Sequence, residues 1–316
     1  MGNDIINWGA EKIEKVICNL CGSSEIKFLF DAKDRAHGIK GSFTYVKCTD
    51  CGLVYMNPQI SPEDVKAFYP DDYAPHKSHL DKAGKSEKMS KSRLERSLPK
   101  LLLQKLNENS RVLDVGCGSG KFLGGIKNIF GCKVYGLDIS EQAAKIAKDD
   151  YGIEVFTGVV TVAPFPPDYF DVITAWQYLE HVHNPLESLQ MFYRLLKPDG
   201  LCAISTPNFD SFNAKIFKDR WFGLECPRHL YIYTPETINK LLQKAGFLLT
   251  AISYDKSSKN LINSLQYYFY ENNYSPEHRN RVKNTLMIKA VLSPLSRIFA
   301  LLKMSDNMIV IAKKVS

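Results

Sequence analysis

The sequence lacks the features that mark a membrane-spanning or exported chain. No stretch of 18 apolar residues occurs among its 316 residues, and the first ten contain no charged segment that leads into a long apolar run. Internal repeats and low-complexity tracts are missing too, so nothing indicates a solenoid or a disordered chain. Hydrophobic residues make up 45% of the chain, enough for a substantial core, and the expected location is the cytoplasm.

Cysteines are scarce outside two pairs. Four of the eight form two CxxC pairs, and the other four stand alone in apolar surroundings, at Cys117, Cys132, Cys202 and Cys226. This distribution favours a metal site and buried thiols in a reducing compartment over disulfides. The net charge of +7 is concentrated near the C-terminus and in the stretch 76–92, where attraction to an anionic partner is expected to be strongest.

The chain divides into three segments. Residues 1–75 contain the CxxC pairs and short β-rich runs, and they have too little apolar mass to fold alone. A basic, Lys- and Ser-rich linker follows over 76–92, and leucines at helical spacing then predict a helix over Leu94–Leu106. Residues 93–316 form the third segment, with an insertion over 255–305 that contains two predicted helices.

Strand-like and helix-like runs alternate through the third segment. The predicted strands are Arg111–Val115, Lys133–Asp138, Ile153–Phe156, Phe170–Ala175, Leu201–Thr206, Phe247–Ser253 and Met308–Ala312. The predicted helices between them are Ser119–Phe130, Ser140–Asp150, Leu186–Leu196 and Pro235–Ala245. This alternation predicts an α/β fold with a parallel sheet covered on both faces, which binds ligands at the carboxyl ends of its strands.

A glycine-rich loop follows the first of these strands. Gly116, Gly118 and Gly120 stand at alternate positions after Asp114, where a strand turns into a helix, so a ligand can approach the backbone closely. Asp138 ends the next strand, where its carboxylate can accept both hydroxyls of a ribose. The pair predicts an adenosine-type ligand; the alternative is a tight turn beside a solvated acid. The GxGxG spacing differs from the GxGxxG fingerprint of dinucleotide sites.

This loop resembles motif I of the class I S-adenosylmethionine-dependent methyltransferases, which have a Rossmann-like fold. The resemblance covers about Leu94–Ser316 and includes Phe170–Ile173, Leu195–Leu201 and Ala245–Phe247. In that family the loop cradles the methionyl part of the cofactor, the motif I acid organises contacts to its amino group, and the later acid holds the ribose. The resemblance implies cofactor contacts at Asp114, Gly116, Cys117, Gly118, Gly120, Asp138, Ile139, Gln177 and Tyr73.

Tyr69 and Tyr73 flank a Pro-Asp-Asp turn and resemble an upstream tyrosine segment that closes over the cofactor in this family. The alternative is a simple hydrophobic docking of the linker. The segment 176–182 also resembles that of ubiquinone-biosynthesis O-methyltransferases, in which two glutamates and a histidine can gather a divalent metal. Here Gln177 stands at the first glutamate position, and a neutral amide weakens binding of a hard cation.

Two histidines are the candidate catalytic bases. His181 follows Glu180 at the carboxyl end of a predicted strand, and its ordinary pKa suits proton transfer near neutral pH. His229 lies in an aromatic cluster, 221–231, where methyltransferases of this type build the acceptor pocket. Arg228 and the aromatic faces there are expected to hold a polar, even anionic, acceptor. The alternatives are a structural histidine at 181 and a rigid, self-packed loop at 221–231.

Each CxxC pair is followed by glycine, and the two pairs are separated by 26 residues. Four thiolates from Cys18, Cys21, Cys48 and Cys51 suit a tetrahedral structural zinc ion. Such a site has no open position for water, so the metal is expected to fold the module without taking part in chemistry. The alternatives are four unligated cysteines or a redox pair. The module resembles the zinc-binding N-terminal domain of some bacterial methyltransferases that act on sugars and cell-surface glycans.

These features predict methyl transfer from S-adenosylmethionine to a small acceptor, such as a hydroxyl of a sugar or glycan precursor. C-methylation of a keto-sugar is a close variant. An RNA or protein methyltransferase that uses the zinc module for substrate binding is the second class, although no stacking pattern and no Asn-Pro-Pro-Tyr-type motif supports specific nucleic-acid binding. A non-catalytic binding domain is the third class, but the cofactor loop is intact.

The insertion is rich in apolar residues interspersed with Lys289, Arg297 and Lys303. Pro294 is expected to break it into two shorter helices. Three uses are open for it besides a contribution to the core: a lid over the acceptor pocket, a dimer interface, or peripheral contact of 285–303 with an anionic membrane. We expect the lid, because the insertion leaves the sheet near the predicted pocket.

Overall fold

A computed structural model of the chain describes residues 13–69, 90–269 and 286–315, with backbone alone for Lys66 and residues 286–290. Most of the predicted linker 76–92 therefore lies outside the described residues. The N-terminal part contains five short strands, β1 (Ile13–Glu14), β2 (Ile26–Ala32), β3 (Phe43–Cys48), β4 (Val54–Met56) and β5 (Gln59–Ile60). The rest of the chain contains β6 (Arg111–Val115), β7 (Lys133–Asp138), β8 (Val155–Thr157), β9 (Phe170–Trp176), β10 (Leu196–Pro207), β11 (Tyr231–Ile232), β12 (Phe247–Tyr254) and β13 (Asn307–Lys314).

Seven strands form the central sheet, in the order β12-β13-β10-β9-β6-β7-β8. Neighbours from β8 to β10 are parallel, whereas β13 runs antiparallel to both β10 and β12. The predicted parallel sheet is therefore confirmed except for its last strand, β13, which is antiparallel to both of its neighbours. A strand's direction depends on where the preceding connection enters the sheet, and the hydrophobic pattern of a buried strand carries no information on that.

Within the described residues, nine α-helices accompany these strands: α1 (Lys91–Ser97), α2 (Lys100–Lys105), α3 (Lys121–Phe130), α4 (Glu141–Tyr151), α5 (Pro185–Leu195), α6 (Phe212–Phe217), α7 (Pro235–Lys244), α8 (Lys259–Phe269) and α9 (Leu286–Leu301). The caps explain the starts of the longer ones. Ser140 and Asn184 accept hydrogen bonds from backbone N–H groups three residues on, and Thr234 forms a capping box before Pro235. The single helix predicted over 94–106 is wrong, because Pro99 separates α1 from α2.

The N-terminal module shares its sheet with the rest of the chain. A four-stranded antiparallel sheet has the order β11-β4-β3-β2, so its outer strand β11 comes from residues that follow the central sheet's fifth strand. Strands β1 and β5 form a separate pair. The buried side chains of the module, including Tyr45, Tyr55 and Met56, belong to the same hydrophobic cluster as those of β9 and β10. The module therefore packs as part of one continuous core.

The insertion before β13 contains α8 and α9. The predicted break at Pro294 is wrong, since α9 continues through this residue. Leu292 and Phe299 pack against the core on either side of exposed Pro294, and Phe299 stacks on Phe212 with ring centroids 4.5 Å apart. These contacts compensate for the one backbone hydrogen bond that proline removes. Within the described parts of the chain, no helix combines the length and apolar character needed to cross a membrane.

Candidate active site

The four CxxC cysteines converge at one point of the module. Their sulfur atoms all lie within 4.8 Å of one another, with Cys18–Cys51 at 3.4 Å and Cys21–Cys48 at 3.5 Å. Tetrahedral zinc with Zn–S bonds of about 2.3 Å separates its sulfurs by roughly 3.8 Å, so the cluster is close to the size that zinc requires. Gly22 and Gly52, at φ +78° and +85°, close the two turns by donating to the carbonyls of the first cysteine of each pair. The other four cysteines are buried free thiols, as predicted.

The glycine loop connects β6 to α3 at the carboxyl end of the sheet. All three of its glycines have positive φ, at +73°, +51° and +75°. A side chain at Gly116 would come within 2.9 Å of the Tyr178 ring, and one at Gly120 within 2.8 Å of Ala147 Cβ. The tight turn therefore depends on glycine at both positions.

Asp138 joins the glycine loop to the end of β7. Its carboxylate accepts hydrogen bonds from Gly118 N at 2.8 Å and from Ser140 N at 2.9 Å. A carboxylate has about four lone-pair sites, so a group of this kind can accept hydrogen bonds from ribose hydroxyls as well as from backbone N–H groups. The side chain of the next residue, Ile139, is 66% exposed and offers an apolar surface beside this acid. Both features fit an adenosine group.

Asp114 and Cys117 lie deeper than the loop's surface. Thr174 donates to Asp114 Oδ1 at 2.6 Å, and burial raises the pKa of Asp114 to about 8. A cationic amino group beside this acid would favour its charged form, as the methionyl end of the cofactor requires. The Cys117 side chain is buried and points toward Gly136 on β7, and its N–H donates to Leu137 O. Cys117 therefore contributes to the loop through packing.

Gln177 occupies the rim between β9 and β10. It has φ +50°, its N–H donates to Ser205 O at 2.8 Å, and its amide donates to Ser205 Oγ at 3.1 Å. Gln177 is exposed, and the next residue, Tyr178, lies against Gly116 of the glycine loop, so the predicted cofactor contact remains a prediction. Tyr73, the remaining predicted cofactor residue, lies outside the described residues.

The two candidate bases lie side by side. Leu230 N donates to Glu180 O at 2.8 Å, which brings the loop 221–231 against the end of the segment after β9. The rings of His181 and His229 have centroids 4.5 Å apart and are nearly perpendicular, at 82°. Tyr69 Oη lies 2.8 Å from His181 Nδ1, so this tyrosine contacts a candidate base, a role that its motif did not predict.

The hydrogen bonds of His229 define its tautomer. A carbonyl can only accept, so the 3.0 Å contact of Nδ1 with Gly223 O places a proton on Nδ1 and leaves the lone pair on Nε2. Nε2 has no hydrogen-bond partner within the described residues, and the Glu225 carboxylate lies 3.7 Å from it. Burial lowers the pKa of both His181 and His229 to about 3, so both rings are neutral at physiological pH. The expectation that His181 keeps a pKa near neutrality is therefore wrong, because burial disfavours the charged form of the ring.

Glu180 lies beneath this pair. Its side chain is fully buried, and this burial raises its pKa to about 8. A carboxylate oxygen of Glu180 and one ring nitrogen of each histidine, the atoms that could bind a metal, lie within 4.8 Å of one another. Two imidazoles and one carboxyl suit a transition metal, whereas Mg²⁺ prefers oxygen ligands. The metal site implied by the ubiquinone-type resemblance needs two carboxylates, and Gln177 bonds to Ser205 instead. The residues present therefore do not fit a magnesium site.

Arg228 does not face an acceptor, contrary to expectation. Its side chain is fully buried and makes a bidentate ion pair with Asp34 of the N-terminal module, at 3.0 Å for both contacts. A guanidinium committed in this way has no exposed surface for a ligand. Because Asp34 lies 194 residues earlier in the chain, no local pattern could indicate this pairing.

A family model of a methyltransferase domain matches residues 87–252. This chain belongs to that methyltransferase family. The predicted class I S-adenosylmethionine-dependent methyltransferase with its Rossmann-like sheet is thereby confirmed. The matched region begins after the cysteine module, so the family assignment does not extend to the four cysteines.

Ubiquinone biosynthesis O-methyltransferases are among the similar proteins. The one from Azoarcus sp. is 30% identical over 155 residues, which cover 45% of this chain and 66% of that protein. The one from Thiobacillus denitrificans is 32% identical over 167 residues, which cover 47% of this chain and 70% of that protein. A third, from Pseudomonas putida, is matched over 44% of its length, so the chain spans about half to two thirds of these curated relatives.

The fold recurs in a solved structure of low sequence similarity. A protein from Galdieria sulphuraria, provisionally assigned as a sarcosine dimethylglycine methyltransferase, superimposes with a TM-score of 0.50 at 17% identity. The match covers 71% of this chain and 84% of that one. At this identity the likeness concerns the fold alone.

Proposed function

We propose that this chain transfers the methyl group of S-adenosylmethionine to a hydroxyl group of a small polar acceptor, with His229 as the base. The observation that carries the proposal is the tautomer of His229, whose Nε2 lone pair has no partner in the described part of the chain. The O-methyltransferases among its relatives support oxygen as the acceptor atom.

S-adenosylmethionine supplies an electrophilic methyl group on a sulfonium. The transfer is an in-line displacement, in which the acceptor oxygen forms the new bond as the methyl–sulfur bond breaks, so positioning dominates and a weak base suffices. His229 Nε2 takes the hydroxyl proton, and the Glu225 carboxylate at 3.7 Å stabilises the imidazolium that results. The glycine loop and Asp138 would hold the cofactor, and Tyr178, which packs on Gly116, lies three residues before His181 in the chain.

A sugar, glycan precursor or similar polar metabolite is the acceptor that we propose. A small cleft is lined by Tyr267 of α8, by Lys33 and Arg35 of the module, by the largely buried Trp221 and by Glu225. The Glu225 carboxylate, 3.7 Å from Nε2, connects this cleft to His229, which does not line it. Aromatic faces together with charged groups suit a polyhydroxylated ligand. Ser264 of α8 also accepts a hydrogen bond from Phe222 N at 2.9 Å, which supports α8 as the wall of the acceptor pocket.

The test is methyl transfer from methyl-labelled S-adenosylmethionine to a panel of nucleotide sugars, free sugars, phenols and RNA. His229→Gln should lower kcat about 10²- to 10⁴-fold while leaving S-adenosylhomocysteine affinity unchanged. His183→Gln is the matched control, because His183 bonds to Ile60 O outside the cluster. Full activity of His229→Gln would refute the base assignment. NMR of the product distinguishes O-methylation from C-methylation of a keto-sugar. Labelling of RNA or protein would instead support an RNA or protein methyltransferase.

We further assign structural zinc to the four cysteines and retain the cytoplasm as the predicted location. Peripheral membrane contact through 285–303 is a separate proposal, supported by the outer face of α9. Val291, Leu295 and Ile298 are exposed there beside Arg297, and Leu302 and Lys303 follow. Leu295→Glu should reduce cosedimentation with anionic vesicles, whereas equal sedimentation of both proteins would count against the contact.

A further inference from the structure

The N-terminal module holds the backbone that carries His229. Tyr45 on β3 is fully buried and donates from Oη to the His229 carbonyl at 2.8 Å. Next along the chain, Leu230 O accepts from Met56 N on β4 at 2.9 Å, and β11 then joins the sheet of the module. The candidate base therefore lies two residues before a strand that the module pairs.

A buried ion pair fixes Arg228, the residue before His229. Both carboxylate oxygens of Asp34 accept from the Arg228 guanidinium, and neither side chain is exposed. Asp34 Oδ1 also accepts from the N–H groups of Ala36 and His37, so the module's own backbone fixes the carboxylate. Arg228 donates in addition to Phe68 O at 3.2 Å, next to the tyrosine that contacts His181.

We propose that Asp34 and Tyr45 are positioning residues for methyl transfer, which keep His229 in place against the acceptor. The inference rests on the proposed function, because it takes His229 as the base. Neither residue belongs to the reacting groups: Asp34 acts through Arg228, and Tyr45 acts through the His229 carbonyl. A misplacement of a catalytic group by about 1 Å can cost on the order of 10²-fold in rate, so loosening of this loop should be measurable.

Two variants and a matched control test the proposal. Tyr45→Phe removes the hydrogen bond to the His229 carbonyl. Asp34→Asn combined with Arg228→Gln removes the buried ion pair without leaving either partner charged alone, and it also removes the 3.4 Å contact of Arg228 Nε with Glu225. Lys244→Met is the control, because Lys244 of α7 donates to Leu20 O at 2.7 Å and so joins the module to the domain away from the histidine loop's own contacts. The assay uses the full chain and an acceptor from the panel above.

We expect kcat to fall on the order of tenfold in Tyr45→Phe and 10²-fold in the double variant. The affinity for S-adenosylhomocysteine and the zinc content should stay unchanged, and Lys244→Met should keep its kcat. If the double variant fails to fold, Tyr45→Phe and Asp34→Glu provide the same test. An unchanged kcat in Tyr45→Phe would overturn the proposal for that residue, and an unchanged kcat in the folded Asp34 variants would overturn it for Asp34.

Repeating Tyr45→Phe in the His229→Gln background separates positioning from general stability. If Tyr45 acts through His229, the residual rate of His229→Gln should change by no more than about twofold. Equal losses in both backgrounds would show a purely structural role and would contradict the proposal. A fully active His229→Gln, by contrast, would refute the proposed function itself, so the two failures are distinguishable.

Discussion

The cofactor loop and the histidine cluster lie toward the same end of the central sheet, yet they are built in opposite ways. The loop and its acid come from the single stretch Asp114–Asp138 and bond to each other locally. The histidine cluster combines Tyr69, His181 and His229, and its supports Tyr45 and Asp34 lie 184 and 194 residues away from their partners in the chain. Changes in the N-terminal module should therefore disturb acceptor chemistry and spare cofactor binding.

Loss of zinc should separate the two regions most strongly. Structural zinc contributes about 10–16 kcal/mol to the folding of small peptide modules, and Cys18→Ser or Cys51→Ser removes one of its four thiolates. We expect about one zinc per unaltered chain by elemental analysis. The variants should lose zinc and methyl transfer, because β11 belongs to the module's sheet, and still bind S-adenosylhomocysteine in calorimetry. Zinc-free protein after reduced, fresh purification would contradict the site, and loss of cofactor binding would contradict the separation.

A change in the cofactor loop's acid should have the opposite effect, weakening cofactor binding while leaving the N-terminal module intact. Asp138→Ala removes the acid assigned to the ribose, and a charge-assisted hydrogen bond is worth about 1.5–3 kcal/mol. We expect the affinity for S-adenosylhomocysteine to fall on the order of tenfold or more, with the zinc content unchanged. Glu141→Ala, an exposed acid on the first turn of α4, is the control. Equal affinity in Asp138→Ala would refute the ribose assignment.

The pH dependence of stability should also distinguish the histidine cluster from the cofactor loop, by smaller effects than those above. The pKa of His181 and of His229 is lowered to about 3, below the unfolded value of about 6.5. The neutral rings therefore contribute to the free energy of unfolding above about pH 6.5, and this contribution is lost as the pH falls from there toward 3. Between pH 6.5 and 5 this amounts to at most about 2 kcal/mol for each ring. Burial raises the pKa of Asp114 to about 8, so the protonated acid contributes fully to the free energy of unfolding below about pH 4. This contribution is lost as the pH rises through 8.

Thermal unfolding across pH checks these signs. His181→Gln combined with His229→Gln should flatten the acid side of the stability profile, and Asp114→Asn should flatten the alkaline side. The measurements are made without cofactor, because a cation beside Asp114 would change its pKa. Profiles that remain parallel to that of the unaltered chain would show that these groups are not buried as described.

The elements of the domain were largely predictable from the sequence. Strands β6 and β7 match their predicted bounds, and most of the others agree within two residues, because buried strands and amphipathic helices differ in the period of their apolar residues. Two of the errors concern prolines. Pro99 interrupts a helix and Pro294 does not, since the contacts of Leu292 and Phe299 hold α9 together, and such contacts are not visible in a local pattern.

By itself the sequence determined the methyltransferase fold, the glycine loop with Asp138, and the four cysteines of the module. Each of these depends on residue types at short, regular spacings, where backbone conformation and local hydrogen bonds decide the outcome. Only the tertiary structure decided that Arg228 pairs with Asp34, that Tyr69 contacts His181, and that the module completes the sheet beside His229. Those contacts form because burial of polar groups demands partners, and the fold brings partners from distant parts of the chain.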